Sequence, residues 1–389
     1  MFPVISNISD VLPHIEGKDE FFVADKGDHL VINYKMMMPT TFPDGEDILR
    51  ECRGIIFDKE TGIIIRRPLH KFFNVNERES TREENLHWMA DEYHVFEKLD
   101  GSMIAPYKSP TTSKLIWGTK MGDTDVAAQA SKVVTDAEAE LVWDCIDSGQ
   151  TAIFEFCSPY NQIVVPYEEE GLYLLAIRDN VTGEYDEYRR LLALGEYYGV
   201  KVVKQSTVDG GALPKQLIES VANREGEEGI VFSSPCGYYK VKVKSEWYVR
   251  IHKALERIVH EKDVLEMILE EKLDDVIPFL SETLVKKIRE YEVALWTKQR
   301  ENIDELKERF EHFAEIAGSD RKIFATQAKT HPRSPILFKL YDGWLNDVYS
   351  REKVSQLVIN YLKTLSTSTK IEQAREFLGA EWRTSNELL

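Results

Sequence analysis

A lysine followed two residues later by Asp-Gly stands at the end of a predicted strand, in the segment VFEKLDGSMI at residues 95–104. Two explanations fit a long cationic side chain at this place. In a surface hairpin, Asp100-Gly101 would form a type I′ turn and Lys98 would be a solvated residue beside it. In a cleft, Lys98 would be a nucleophile held at the end of a strand. Taken alone, the segment favours the hairpin, and residues elsewhere in the chain must decide.

Three lysines alternate with valines in YYKVKVKSEWYV, at residues 238–249. Because successive side chains of a strand point to opposite faces, Lys240, Lys242 and Lys244 must share one face. An edge strand that protects itself with lysines would show this pattern. Three aligned ammonium groups would also form a phosphate-binding face, so the sequence leaves both possibilities open.

Two glutamates also stand where strand burial would not favour a charge. Glu155 lies between two phenylalanines in AIFEFC (152–157), so it faces away from the core if the aromatic rings face into it. It then points either to solvent or into a cleft, where it could hold a metal ion or a ribose hydroxyl. Glu228 precedes a predicted strand in GEEGIVFS (226–233), and the flanking glycines allow close backbone approach. The alternative for Glu228 is an acidic surface loop.

Two further cations lie beside apolar strand residues, Arg53 in ECRGIIFD (51–58) and Lys71 in LHKFFN (69–74). A guanidinium group can hold phosphate or ribose oxygens in a fixed geometry. The sequence has no Walker A motif and no G-x-G-x-x-G, which argues against a P-loop or Rossmann nucleotide site. The lysines, the arginine and the glutamates therefore remain as the residues that need a chemical explanation.

Short runs of β-branched and aromatic residues predict strands up to about residue 250. These runs lie at residues 29–34, 54–58, 62–68, 114–118, 151–157, 172–179, 229–234 and 238–244. The segments 125–146 and 188–199 are predicted to be helices. After residue 250, apolar residues recur at helical spacing. The sequence thus predicts a mixed α and β domain followed by a helical one.

The length of 389 residues is sufficient for two or three domains with substantial cores. The sequence shows no apolar stretch long enough to span a bilayer and no secretory signal. Its four cysteines are scattered, without the spacing of a zinc site, which is typical of reduced thiols. A cytoplasmic protein is therefore expected.

The net charge of −18 at pH 7 disfavours nucleic acid as a partner at first sight. The charge is distributed unevenly, however, because residues 1–250 carry −15 and residues 251–389 carry −3. A surface that binds RNA or phosphate must therefore be a local cluster in an acidic protein. Its affinity should be modest and should fall steeply with salt.

Six short motifs, taken in order, resemble the motif series of the covalent nucleotidyltransferases, the superfamily of polynucleotide ligases and capping enzymes. They are ECRG (51–54), HKFFN (70–74), EKLDGS (97–102), FEF (154–156), EEGIVF (227–232) and KVKS (242–245). The K-x-D-G motif carries the nucleophile, here Lys98. The NVTGEY turn, the N-x-I-V after FEF and the K-S-E-W-Y segment are similar to the tRNA-repair RNA ligase 1 family of T-even bacteriophages. The resemblance covers about residues 20–250.

This resemblance implies an α+β fold, with an antiparallel-sheet nucleotidyltransferase (ATP-grasp-like ligase) domain at residues 1–252. An all-α RNA-specificity domain would follow at residues 253–389. It also implies ATP as a substrate, Mg²⁺ or Mn²⁺ as a cofactor, and single-stranded RNA ends as partners, such as a nicked tRNA anticodon loop in the cytoplasm of a phage host. Lys98 would accept AMP from ATP and pass it to an RNA 5′-phosphate, which a 3′-hydroxyl then attacks. An amine attacks only when unprotonated, and each step displaces a group at a negatively charged phosphorus, so cations should surround the site.

The matched cations take their roles from the same resemblance. Lys242 and Lys244 match two lysines expected at the α-phosphate and at the departing pyrophosphate. Arg53, Lys71 and Lys120, the last in GTKMG, would hold the phosphates or the ribose. All of them, with Lys98 itself, would bind ATP.

Four other residues complete the expected site. Glu155 would hold the ribose hydroxyl or the waters of the metal ion, and Glu228 would anchor the metal shell. Tyr34 would help to orient the leaving group. Lys240 is an additional cation on the lysine face that has no counterpart in the motif series. Like Tyr34 and Glu155, it is expected to bind ATP. Leu99 departs from the phage ligases, which have an acidic residue at that position.

Two alternatives remain at this point. A DNA ligase or a GTP-dependent capping enzyme would follow the catalytic domain with an OB-fold, which consists of short strands, whereas residues 255–365 show helical periodicity. A catalytically inactive RNA-binding relative would keep the fold without the reaction. The helical segment has five further candidate RNA contacts, for which solvated helix faces are the favoured interpretation: Lys286, Lys287, Arg321, Lys322 and Arg333.

Overall fold

A computed structural model of the protein describes residues 1–382 apart from residues 36, 39, 87–92, 206–213, 281, 347–349 and 380. The chain divides into two compact units, Met1–Arg250 and Ile251–Leu389. The first unit contains antiparallel sheets with flanking helices, and the described part of the second is helical. The predicted α+β fold, with antiparallel sheets followed by a helical region, is confirmed.

The strands of the first unit are β1 (Phe21–Asp25), β2 (His29–Tyr34), β3 (Arg53–Asp58), β4 (Ile64–Arg66), β5 (Phe73–Asn74), β6 (His94–Glu97), β7 (Ser102–Lys108), β8 (Leu115–Gly118), β9 (Gln150–Cys157), β10 (Gly171–Asp179), β11 (Gly229–Ser233) and β12 (Lys240–Lys244). Its helices are α1 (Leu12–Ile15), α2 (Asp47–Glu51), α3 (Asp125–Val133), α4 (Asp136–Asp147), α5 (Tyr188–Tyr198) and α6 (Pro214–Ala222). Helix α7 (Glu246–Ile258) starts in the first unit and ends in the second.

Three four-stranded sheets are present among the described residues. The first has the strand order β1-β2-β3-β4, the second β10-β9-β7-β8, and the third β5-β12-β11-β6. Neighbouring strands are antiparallel except β5 and β12, which are parallel. Strands β6 and β7 follow each other in sequence but belong to the third and the second sheet. The connection between them therefore carries Lys98 from one sheet to the next.

The second sheet shows how its sequence pattern produces burial. In β9, Phe154 and Phe156 point into a core that also contains Leu141 and Val142 of α4. Glu155, between the two aromatic residues, faces the other side of the strand and is only partly buried. Burial of each aromatic ring stabilises the fold by about 2–3 kcal/mol, and this fixes the register of β9 and the direction of Glu155.

The predicted helix over 125–146 is in fact two helices, α3 and α4. Thr135 lies between them with an extended backbone, and its side chain accepts a hydrogen bond from the amide of Glu138. The carboxylate of Glu138 accepts one in return from the Thr135 amide, at 2.8 Å. This capping box starts a new helix and contributes about 1 kcal/mol, so the helical periodicity continues across a break in the backbone.

The helices of the second unit after α7 are α8 (Glu261–Leu269), α9 (Glu282–Ala317), α10 (Arg321–Ala328), α11 (Ser334–Leu345), α12 (Arg351–Leu365) and α13 (Ile371–Leu378). The residues of α9 that recur at helical spacing, such as Ile303, Leu306 and Phe310, are buried in a core shared with the other helices. Within residues 251–382, the described part of this unit has no strand. Among the helices that the structure describes, none combines the length and the apolar character needed to cross a bilayer.

Candidate active site

A cavity of about 320 Å³ in the first unit contains Lys98 in its wall. The other predicted site residues in the wall are Tyr34, Arg53, Lys71, Glu155, Lys240 and Lys242. Lys120, Lys244 and Glu228 adjoin these residues through direct side-chain contacts described below. The structure thus brings together all the site residues predicted from the sequence, although they come from all three sheets.

The Lys98 segment is a connection between sheets and not a hairpin. Strand β6 before it pairs with β11, and β7 after it pairs with β8 and β9. The amide of Lys98 donates to the carbonyl oxygen of Gly229 at 2.9 Å, which fixes the start of the connection. The hairpin alternative is therefore wrong, because Asp100-Gly101 joins strands that do not pair with each other. Leu99, the departure from the phage ligases, lines the cavity as well.

Asp100 holds this connection in place, a role that the sequence did not reveal. Its side chain is buried, with 2% exposure of the residue. One carboxylate oxygen accepts hydrogen bonds from the amides of Val164 and Val165, each at 2.8 Å, and the other accepts one from the Tyr248 hydroxyl at 2.7 Å. Hydrogen bonds to a buried carboxylate contribute about 1.5–3 kcal/mol each. Through these hydrogen bonds, Asp100 fixes the connection after Lys98 against parts of the chain that are distant in sequence.

Gly101 completes the connection because no side chain fits there. A Cβ atom at this position would lie 2.3 Å from the carbonyl oxygen of Phe156. The Gly101 amide also donates to Oε1 of Glu155 at 3.2 Å. The glycine of K-x-D-G therefore allows β7 to start directly against β9, and this brings Glu155 close to the nucleophile segment.

The three lysines of β12 share one face, as their alternation predicted. Val241 and Val243 between them are buried, while Lys240, Lys242 and Lys244 are partly exposed. The edge-strand alternative is wrong, because β12 pairs with β11 on one side and with β5 on the other. A lysine face inside a sheet has no protective role against edge pairing.

Glu228 connects the lysine face to Lys98. Its residue is 4% exposed, and its two carboxylate oxygens contact different lysines. Nζ of Lys98 lies 2.6 Å from Oε2, and Nζ of Lys244 lies 2.9 Å from Oε1. The surface-loop alternative for Glu228 is therefore wrong. In the described structure this carboxylate compensates the charge of the candidate nucleophile.

Tyr34 lies between two cations on the other side of the site. Nζ of Lys120 lies 4.8 Å from the centre of the Tyr34 ring, and Nζ of Lys71 lies 5.9 Å from it. Burial would raise the pKa of the Tyr34 phenol, but the charges of Lys71, Lys120 and Arg53 lower it overall. The backbone of Lys120 packs closely against Gly54, which has φ +87°. A Cβ atom at Gly54 would lie 2.6 Å from the carbonyl oxygen of Lys120, so only glycine allows this contact.

Several of these cations have no carboxylate partner. Among the described residues, no Asp or Glu oxygen lies within ion-pair distance of Arg53, Lys71, Lys120 or Lys242. Burial, together with the charges of Lys71, Lys98 and Arg53, lowers the pKa of Lys242 to about 7. The carboxylate of Glu77 acts on Lys71 and Lys242 from beyond ion-pair distance, so this positive charge has no direct carboxylate partner in the described chain. Such an arrangement is expected of a polyanion site.

Glu155 is held in surroundings that disfavour its charge. Burial raises its pKa to about 7, with the charge of Glu228 adding to the increase and Lys98 opposing it. Within the described part of the chain, no three His, Cys, Asp or Glu side chains cluster as a complete metal site. Two carboxylates beside a phosphate site nevertheless suit Mg²⁺, which binds to one or two protein carboxylates together with substrate phosphates and water. Glu155 and Glu228 fit that requirement.

Comparison with known proteins gives the family. Residues 51–248, which hold Lys98 and most of the site described above, match the family model described as RNA ligase. The chain belongs to the RNA ligase family. This confirms the family and the enzyme class that the motifs predicted.

Individual members of this RNA ligase family align over much of the chain. The chain is 30% identical over 288 residues to a putative RNA ligase from Thermovibrio ammonificans, covering 72% of this chain and 73% of that protein. It is 28% identical over 243 residues to RNA ligase 1 of bacteriophage TS2126, covering 60% of this chain and 58% of that protein. Among solved structures, an archaeal ATP-dependent RNA ligase superposes with a TM-score of 0.44 at 10% identity, covering 96% of this chain and 89% of that one.

Proposed function

We propose that this RNA ligase family member joins RNA ends in an ATP-dependent reaction through a covalent adenylate on Lys98. The observation that carries the proposal is the set of cations without carboxylate partners beside Lys98. Arg53 and Lys242 supply positive charge to the cavity from two strands and Lys71 from a connection, and Lys120 adds its charge beside Tyr34. A triphosphate would supply the matching negative charge.

In the first step, the unprotonated Nζ of Lys98 attacks the α-phosphorus of ATP. A P–N bond forms, the bond to the bridging oxygen breaks, pyrophosphate leaves, and the amine loses a proton. Before this attack, Nζ must give up its 2.6 Å contact with Glu228. Lys242 and Lys244 are placed to stabilise the charge that develops on the α-phosphate and on the leaving pyrophosphate.

A divalent cation, Mg²⁺ or Mn²⁺, would be held by Glu228 and Glu155 and would neutralise phosphate charge near Lys98. A bound cation would also stabilise the ionised form of Glu155, which burial disfavours. The carboxylate of Glu228 would then contact the ion and its waters instead of Lys98 and Lys244. Tyr34, between Lys71 and Lys120, is placed to contact the departing phosphates.

The next two steps transfer and then release AMP. An oxygen of an RNA 5′-phosphate attacks the phosphorus bound to Lys98, the P–N bond breaks, and an RNA end carrying a 5′-5′ linked adenylate forms. The 3′-hydroxyl of another end then attacks the RNA 5′-phosphorus, and AMP leaves as the phosphodiester bond forms. The same cations serve each displacement, because each occurs at a phosphorus crowded with negative charge.

We also assign RNA selection, including a tRNA broken in its anticodon loop, to the helical unit. Of its candidate contacts, Arg321 is paired with Asp342 at 2.8 Å and Arg333 with Glu305 at 2.6 Å, which favours a solvated or structural role for both arginines. Lys286, Lys287 and Lys322 make no ion pair with the described residues, so they are the better candidates for contacts with RNA phosphates. The absence of strands in the described part of this unit disfavours the OB-fold alternative.

The test uses ATP labelled at the α-phosphate. Incubation of the full chain with Mg²⁺ and this nucleotide should leave label that survives denaturation but is released by acid, as expected for a phosphoramidate. Lys98→Ala should remove the label, and Lys201→Ala, a matched change at an exposed lysine that contacts Tyr173, should keep it. Subsequent addition of 5′-phosphorylated single-stranded RNA or of nicked DNA separates the RNA ligase from a DNA ligase. Normal labelling of Lys98→Ala would contradict the proposal.

A further inference from the structure

Lys240 is the one predicted site residue that the proposed reaction does not use. It lies on the same face of β12 as Lys242 and Lys244, and it lines the same cavity as Lys98. The motif series gives it no role. Its position along the strand indicates what it contacts.

The register of the third sheet places Lys240 away from the phosphate cations. Lys244 pairs with Gly229, Lys242 with Val231, and Lys240 with Ser233. At about 3.3 Å per residue along a strand, the Cα of Lys240 lies about 7 Å beyond that of Lys242 and about 13 Å beyond that of Lys244. Lys244 shares Glu228 with Lys98, so the lysine face runs from the nucleophile towards Lys240.

The charges around the lysines differ in the same way. Burial lowers the pKa of Lys242 to about 7, and Lys71, Lys98 and Arg53 contribute to the decrease. Burial also lowers the pKa of Lys240 to about 8, but the cation that contributes there is Arg178. Lys240 is therefore outside the group of cations that surrounds the candidate phosphate site.

Apolar residues line the cavity together with Lys240. Phe96, Leu175, Val203 and Val231 are among them, and Leu69, Phe72, Leu99 and Met103 are the others. Val231 stands between Phe96 of β6 and Lys242 of β12 in the sheet. A nucleotide base needs such apolar surface against its faces and a few polar groups at its edge. With the α-phosphate at Lys98, the base would pack on these residues and its edge would approach Lys240.

The amino group of Lys240 retains hydrogen-bonding capacity. Nζ donates to Oγ of Ser233 at 2.9 Å and lies 4.9 Å from the centre of the Tyr185 ring. No carboxylate of the described chain forms an ion pair with it. A lysine ammonium has three donors and one is used here, so two remain for a ligand that reaches the amino group from the cavity.

We propose that Lys240 is a specificity-determining residue, which donates a hydrogen bond to N1 or N7 of the adenine of ATP. This inference rests on the proposed function, since it takes the cavity to be the ATP site. Lys240 would thus recognise the base, while Arg53, Lys71 and Lys242 would bind the phosphates. Ser233 orients Lys240 from the facing strand.

The test compares ATP with 1-deaza-ATP and 7-deaza-ATP, each of which lacks one ring-nitrogen acceptor. Covalent adenylylation by the full chain should show a KM about tenfold higher for one of the two analogues than for ATP, with kcat little changed. In Lys240→Met, the KM for ATP should rise about tenfold, and the difference between ATP and that analogue should disappear. Each comparison uses one protein preparation, so the analogue ratio does not depend on how much of the variant is folded.

Two results would overturn this inference. One is that the wild-type chain uses both analogues as well as it uses ATP. The other is that Lys240→Met keeps the wild-type ratio between ATP and the disfavoured analogue. Ser233→Ala should give a smaller increase in KM and a reduced ratio, whereas Lys201→Met should match the wild type. If the wild-type chain formed no covalent adenylate with ATP at all, the proposed function would fail, and that outcome is distinct from either result.

Discussion

Two groups of buried charge in the first unit differ in whether their charges are compensated. Around Glu51, every charge has a partner: Arg178 donates to both carboxylate oxygens at 2.7 Å, and Arg67 donates to one of them at 3.1 Å. Around Lys98, Lys71 and Lys242 have no carboxylate partner among the described residues. An unpaired buried charge lowers stability, so a cluster of such cations in a cavity indicates a ligand that supplies the partner. The comparison separates a cluster that holds the fold from one that binds a substrate.

The Glu51 cluster also shows how two buried guanidinium groups that share one carboxylate satisfy their remaining donors. The guanidinium of Arg178 donates to the carbonyl oxygens of Pro68 and Gly183 besides Glu51, and that of Arg67 donates to Pro3 and Val181. Backbone groups from several segments therefore converge on two arginines and one glutamate. The cations at the candidate active site have few such contacts, which leaves their donors available for phosphate oxygens.

The largest expected effect is on stability, from a change in the compensated cluster. Glu51→Gln should lower the free energy of unfolding at pH 7 by about 4 kcal/mol, because two buried guanidinium groups lose their counter-charge. Urea unfolding measures this effect, while the covalent adenylylation rate of the folded fraction should remain near that of the wild type. Equal stability of variant and wild type at pH 7 would contradict the account of this cluster.

The same variant makes a prediction for pH. Arg178 and Arg67 hold the pKa of Glu51 at about 2, against an ordinary value of 4.5, although burial alone would raise it. The stabilisation from this carboxylate is therefore complete above about pH 4.5 and is lost as the pH falls towards 2. The difference in stability between Glu51→Gln and the wild type should shrink over that range.

The next largest effect should be on activity, from a change in the uncompensated cluster. Lys242→Met should slow covalent adenylylation about a hundredfold, the usual loss when one group that stabilises a charged transition state is removed. Its melting temperature should not fall, because the variant no longer buries a charge beside Lys71 and Arg53. Lys201→Met is the matched control, and it should change neither quantity. A Lys242→Met protein that melts much lower and adenylylates normally would show that Lys242 is structural.

The smallest effect should come from Glu155, where burial raises the pKa to about 7 from an ordinary 4.5. The protonated form is favoured in the folded state, so the stabilisation is complete below pH 4.5 and is lost as the pH rises through 7. Without metal, Glu155→Gln should therefore melt about 2–4 °C higher than the wild type at pH 8 and at nearly the same temperature at pH 4.5. Its adenylylation should nevertheless be impaired. A lower melting temperature at pH 8 would contradict this assignment.

Much of the site could be predicted from the sequence, because the positions of its residues follow from strand periodicity and from the order of the motifs. The alternation in KVKVK placed three lysines on one face, and the two phenylalanines of FEF turned Glu155 away from the core. Each of these inferences needs only the two-residue period of a strand. The order of the motifs then indicated which strands bring their cations together, and the cavity around Lys98 contains them.

The features that the sequence did not predict correctly depend on pairing between segments that are distant in the chain. Asp100-Gly101 has the local chemistry of a hairpin turn, but β6 and β7 pair with strands far away in the sequence, so local preference could not identify the connection. The partners of Asp100 lie at residues 164, 165 and 248. Glu51 gave no signal either, because its arginines are remote in sequence and a charged residue in a short helix is usually solvated.

The position of β12 inside the third sheet could not be predicted from the sequence either. Its lysines fit an edge strand, and only the short parallel pairing with β5 at residues 73–74 covers the second side. A two-residue strand carries too little pattern to be recognised in a sequence. The break between α3 and α4 was missed for a related reason, because Thr135 interrupts the backbone without interrupting the apolar spacing.

The most direct test of the account is the location of AMP after one round of reaction without RNA. The full chain is incubated with ATP and Mg²⁺, and its intact mass and its peptides are measured. We expect the added mass of one AMP, located on the peptide that carries Lys98 and absent from Lys98→Ala. An unmodified chain, or AMP bound to Lys242 or another lysine of the cavity, would contradict it.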